Sequence, residues 1–134
     1  MVLSLLMLVS PGAIADDRLC EVTRASDIEA LLGGAEAALE KGRSESADRQ
    51  LQTLHARFPC LETVAQPSQL TRFARARALV AFADQDEDTA REWMWMAHKT
   101  TPELPWSAEV PDGHPVRQLL VNLVDPRLDG PPGT

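Results

Sequence analysis

Shifted by 43 residues, Ala35, Ala38, Ala47, Leu54 and Pro59 fall on Ala78, Ala81, Ala90, Ala97 and Pro102. A fixed internal offset says that one supersecondary unit is used twice, and it limits the fold more than any local signal does. The second copy is the clearer one. From Arg77 to Pro102 the chain reads as two helices joined by the acidic turn Asp84-Gln85-Asp86, with small residues at the helix crossing and a proline at the stop. This pattern fixes an architecture and names no chemical activity.

The composition agrees with a helical chain. With 134 residues there is room for one small domain. Aromatics make up 4%, with no Tyr, while Ala, Leu, Glu and Arg are plentiful, a mixture that favours helix over strand. The net charge of −7 repels phosphate backbones and anionic lipid heads, which argues against nucleic acid or a membrane surface as the main partner.

Residues 1–15 read as a signal peptide. Val2 to Val9 is a short apolar run, Pro11-Gly12 breaks it, and Ala13-Ile14-Ala15 supplies a small-x-small cleavage pattern. The run is shorter than the roughly 20 residues a membrane span needs. No Lys or Arg precedes it, and a buried N-terminal helix is the alternative reading. Asp17-Arg18-Leu19 ahead of Cys20 lacks the small residues of a lipidation site. Cleavage after Ala15 places the mature chain in the periplasm or outside the cell. Both cysteines, Cys20 and Cys60, follow that cut, and an even count in an exported chain points to a disulfide. Such a bridge closes a loop of about 40 residues and contributes roughly 3–4 kcal/mol on the chain-entropy account. It would tie the segment before the first helix to the loop after the second. Two free thiols in a cytoplasmic protein are the alternative, and the leader and the disulfide stand or fall together.

Five helices are expected. The first runs from Asp27 to Lys41, with a Ser26/Glu29 capping-box pattern, apolar residues at Ile28, Leu31, Leu32, Ala35 and Leu39, and Gly42 at its end. Gly33-Gly34 suggests a close helix approach. The second runs from Ser44 to Phe58, with Ala47, Leu51 and Leu54 on one face and Pro59 as its stop. The third spans Ser68 to Ala83, and the fourth Glu87 to Lys99 with Asp86 as its cap; Ser44, Ser46 and Ser68 also read as caps. Short turns make neighbouring helices antiparallel. Residues 103–113 form a Pro-rich connection. The fifth helix runs from Pro115 to Val124, with an apolar stripe at Val116, Leu119, Leu120 and Leu123. The layout is then a leader (1–15), a helical domain (16–124) and a disordered tail (125–134).

These residues resemble the tetratricopeptide repeat (TPR), which pairs two helices in about 34 residues, with small residues where they cross and a Pro closing the second. The units are residues 71–104, matched by Ala78, Ala81, Ala90, Ala97 and Pro102, and residues 28–61, matched by Ala35, Ala38, Ala47, Leu54 and Pro59. The aromatics usual in the first helix are absent, and Arg77 stands at an apolar position of the family. The resemblance implies an all-α fold of two antiparallel TPR-like hairpins with the fifth helix as a C-terminal cap. It also implies a non-catalytic module that binds a protein or peptide. Two-helix HEAT-type repeats fit the same offset, and a helical bundle with accidental matches is the plainest alternative. Two repeats are fewer than such stacks need. The fifth helix and the disulfide supply the missing restraint, or the chain borrows a surface from a partner or from its own copy as a homo-oligomer.

In such stacks the first helix of each unit lines a concave groove. The resemblance places Arg72, Arg75, Leu79 and Phe82 there, beside Glu29, Leu32 and Glu36. Two arginines could hold a partner's carboxylate, although Ala76 and Leu79 stand where the family's carboxylate clamp has asparagines. The alternative pairs them with Glu29, Glu36 or Glu40 of the neighbouring helix.

Trp93-Met94-Trp95-Met96 covers every side of a helix, so its members cannot share one core. Met94 belongs to the core face, and Trp93 and Met96 to a flank that the fifth helix could cover. Trp95 is either covered by Leu104-Pro105-Trp106 or, with Trp93 and Trp106, part of an exposed partner-binding patch.

No metal or cofactor is expected. Asp84, Asp86 and Asp88 begin like a calcium loop, but Thr89 and Trp95 replace its Gly and Glu. His55, His98 and His114 show no ligand spacing, and His55 reads as a packed residue. Two other functions stay open. One is an accessory subunit of an envelope secretion or pilus assembly. The other is a small helical enzyme, which would need His55 or His98 gathered with carboxylates in a pocket.

Overall fold

The chain turns back on itself twice within three residues, and both turns are built alike. The computed structural model describes residues 21–123, with side chains to residue 119. The expected leader, Cys20, Val124 and the expected tail lie outside the described residues. The helices are α1 (Ala25–Glu40), α2 (Ser44–Arg57), α3 (Pro67–Ala83), α4 (Glu87–Thr100) and α5 (Pro115–Leu123), with a 3-10 turn at Phe58–Cys60. The described chain is all-α. Its extended contact is a single parallel bridge between Thr23 and Leu61.

The α1–α2 and α3–α4 turns share one hydrogen-bond pattern. Gly42 N donates to Leu39 O and Gln85 N to Phe82 O, both at 3.0 Å. Arg43 N reaches Ala38 O at 2.8 Å, and Asp86 N reaches Ala81 O at 2.9 Å. This is the Schellman closure, which satisfies orphan carbonyls at a helix end and needs a left-handed residue just after it. That residue is Gly42 at φ +72° in the first turn and Gln85 at φ +63° in the second. α2 and α4 then begin and end 43 residues apart.

The helix starts differ from the expected caps. α1 opens at Ala25, and Arg24 N donates to Asp27 Oδ2 at 2.9 Å. Ser26 therefore lies inside the first turn, which leaves Glu29 free to reach another helix. Ser44 is the first residue of α2 and Ser68 the second of α3, so neither is an N-cap. Gln66 N instead donates to Gln69 Oε1 at 2.9 Å, ahead of Pro67 at the first helical position. Asp86 does cap α4, accepting from Thr89 N at 3.2 Å and Thr89 Oγ1 at 2.7 Å. At the far ends, α2 gives way to the 3-10 turn at Phe58, and α4 reaches Thr100.

Burial follows the same offset. Ala35 and Ala78 are fully buried, as are Ala47 and Ala90, and so are Leu51 and Met94. Ala38, Ala81, Leu54 and Ala97 are buried as well. The core has two parts. In one, Leu32 of α1 and Leu51 and Leu54 of α2 close on Phe73, Ala76 and Val80 of α3. Each such leucine contributes roughly 1.5–3 kcal/mol by leaving water. In the other, Ala78 and Ala81 of α3 meet Met94 of α4, Val110, and Val116 and Leu119 of α5. α3 belongs to both parts and is the most buried helix. α5 packs mainly on α4.

Of the glycine pair in α1, Gly33 faces open space, and a Cβ on Gly34 would run into the Gln50 side-chain amide of α2. The close approach is thus at Gly34 alone and against a flexible side chain. Upstream of α1, Thr23 is fully buried: its N donates to Cys60 O at 2.9 Å, and its O accepts from Glu62 N at 2.9 Å. The segment before α1 is thereby strapped to the loop after α2. Cys60 is disulfide-bonded.

Candidate functional site

A cavity of about 570 Å3 lies between α3, the C-terminal part of α1 and the connection that follows α4. Arg72, Arg75, Leu79 and Phe82 all line it, three to four residues apart on one side of α3. Leu39 of α1 and Trp106 of the connection face them. Two neighbours expected in this groove lie elsewhere. Leu32 is fully buried in the core, because its register on α1 points between α2 and α3. Glu29 does not line the cavity and is spent on Arg72.

The two arginines differ. Arg72 is paired within the chain: Nη2 and Nε donate to the two oxygens of Glu36 at 2.7 and 3.0 Å, and Nη1 donates to Glu29 Oε1 at 2.7 Å. Gln69 Nε2 adds a bond to Glu29 Oε2 at 2.9 Å. Hydrogen bonds donated to Glu36, then to Glu29, hold the Arg72 guanidinium well above its ordinary range. Bonds from Arg72 and Gln69 hold the Glu29 carboxyl below its own. The fork thus already holds two carboxylates of the chain itself.

Arg75 is buried at 8% exposure, yet among the described residues no carboxylate pairs with it. Its single hydrogen bond among the described residues runs from Nη1 to Pro105 O at 3.2 Å, and its buried Nε has no acceptor. The guanidinium lies over the Trp106 ring, with Cζ 4.1 Å from the centroid. Arg117 approaches the same ring at 5.3 Å, but Asp112 neutralises it at 2.8 Å. Burial, with Arg117 adding, pushes the Arg75 guanidinium down to about 10.

The three tryptophans do not meet in one patch. Trp93 stands edge-on to Phe73 at 5.6 Å, has the Arg77 guanidinium over its ring, and packs against both parts of the core. Trp95 stacks on His98 at 5.7 Å and carries Lys99 at 5.4 Å, both from its own helix. Of the segment expected over Trp95, Pro105 and Trp106 reach α3 and meet Arg75. Met94 is fully buried as expected, whereas Met96 is left 52% exposed.

His55 is exposed at the ring edges of Phe58 and Phe73, and neither it nor His98 reaches the cavity. His114 does line the cavity; its Nδ1 accepts from Val116 N at 3.1 Å at the start of α5. No cluster of His, Cys, Asp or Glu able to hold a metal occurs among the described residues. No described helix is long and apolar enough to cross a membrane. Compared with known proteins, the chain matches no family model, no curated protein and no solved structure.

Proposed function

We propose that this chain is an exported, non-catalytic binding or scaffold module of TPR-like build, which holds a protein or peptide partner along α3. One observation carries the reading: Arg72, Arg75, Leu79 and Phe82, expected to share a groove, line one cavity. Export to the periplasm or beyond belongs to the same proposal. The bonded state of Cys60 supports it, since structural disulfides persist in oxidising compartments. A Cys20–Cys60 pairing is also proposed, and the strap between Thr23 and Cys60 supports it by holding the chain just after Cys20 against Cys60. The resemblance to TPR hairpins draws support from the two matching turns, and it is an analogy of fold, which does not by itself assign function.

The accessory-subunit reading asked for a broad apolar patch around Trp93, Trp95 and Trp106, and their separate settings give it no support. The test is capture from an envelope extract by the mature chain, beside Trp95→Ala and Arg75→Glu. A protein retained by the parent and lost with Arg75→Glu supports the groove, and one lost with Trp95→Ala moves the site to α4. Unchanged capture in both variants rejects both surfaces.

A further inference from the structure

Arg75 stands 43 residues after Leu32, so in the second hairpin it takes the register that the first gives to a fully buried leucine. A charge at a core position without a counter-charge is costly, and local rules broken without compensation mark functional positions. The carboxylates nearest in the fold do not relieve it: Glu29 and Glu36 are committed to Arg72. Glu40 and Glu109 line other parts of the cavity and form no ion pair with Arg75.

We propose that the cavity binds a small apolar monocarboxylate, with its head on Arg75 and its hydrocarbon body along Leu79 and Phe82. The observations behind this are Arg75, more than nine-tenths buried with no ion pair among the described residues, and the walls beside it. Leu39, Leu79, Phe82, Trp106 and Val110 offer hydrocarbon and indole faces. A hydrocarbon chain meets these walls with no polar group of its own to satisfy. The volume, about 570 Å3, lies within the range of small-ligand sites. Glu40 and Glu109 repel a second anionic group, so the ligand carries one charge. The head displaces the 3.2 Å contact to the Pro105 carbonyl and gains charge-assisted bonds from the same guanidinium.

The inference rests on the α3 groove being a binding surface and goes beyond a protein partner. Titration calorimetry with the full chain tests it, using decanoate, decylammonium, and a short peptide with an apolar C-terminus as free acid and as amide. One-to-one binding of decanoate, with decylammonium at least tenfold weaker, is expected. Arg75→Met weakens decanoate about tenfold or more, as loss of a charged hydrogen-bond donor does; Leu79→Glu, at the hydrocarbon end, also weakens it, and Arg91→Met leaves it unchanged. Circular dichroism checks that each variant is folded. No decanoate binding by the parent, equal binding of decylammonium, unchanged affinity in both folded cavity variants, or binding of the peptide acid alone overturns the inference. Failure here with envelope-protein capture intact leaves the partner reading standing, and decanoate binding without a captured protein does the reverse.

Discussion

Gly42 and Gln85 hold the same left-handed backbone, at φ +72° and +63°, in turns whose hydrogen bonds match one for one. Only the side chain differs, and the left-handed region costs a non-glycine residue about 1–2 kcal/mol. Gln85→Gly should therefore raise stability by up to about 1 kcal/mol, after the extra unfolded-state entropy of glycine. Gly42→Ala should lower it by about 1 kcal/mol. Urea midpoints moving in opposite directions are the expected result, and equal shifts would show that the two turns are not equivalent in solution.

The seams around Ala35 and Ala78 have no space for a larger side chain. Ala35→Leu and Ala78→Leu should each cost about 1–3 kcal/mol by overpacking, whereas Ala37→Leu on the exposed face of α1 should stay within about 0.5 kcal/mol. Thermal melts of the three variants compare the hairpins directly.

Arg72 joins Glu29 and Glu36 across the α1–α3 contact. The folded-state pKa of Glu29 lies below its unfolded value. Its contribution is therefore present above the unfolded value of 4.5 and is lost as pH falls through the folded one. Glu29 is half-exposed, so Glu29→Gln should cost no more than about 1 kcal/mol at pH 7. The difference from the parent should vanish in the acid limb of a stability–pH curve.

Arg75 works in the opposite sense. Its folded value, about 10, lies below the ordinary guanidinium range, because burial disfavours the charged form. Well below pH 10 the folded state carries the full penalty, and stability from this group rises as pH climbs through about 10. Arg75→Met should consequently raise stability by about 1 kcal/mol at pH 7. Stability gained while decanoate affinity falls would separate a binding residue from a structural one.

Reduction of the Cys60 disulfide should lower stability by roughly 3–4 kcal/mol if the loop closed is the one back to Cys20. Urea unfolding with and without reductant, beside Cys60→Ser, checks the size. A loss under about 1 kcal/mol would count against an intrachain bridge to Cys20.

The sequence by itself determined the five helices, both turns and the alanine seam, because each rests on local spacing: small residues at helical intervals, a breaker at each end, and an offset of 43 that repeats them. It also placed Arg72, Arg75, Leu79 and Phe82 together, since residues three or four apart share a helix face. The register that gives Arg75 the place held by Leu32 in the first hairpin was legible too, through that same offset. Tertiary structure alone decided which arginine is satisfied. Arg72 meets Glu29 and Glu36 because α1 lies alongside α3, and Arg75 is left without a carboxylate because the chain after α4 crosses to α3 and lays Trp106 on it. The fates of Trp93, Trp95 and Leu32 were set the same way. Periodicity fixes the face of a helix on which a side chain stands, and only the packing of distant segments fixes what covers that face.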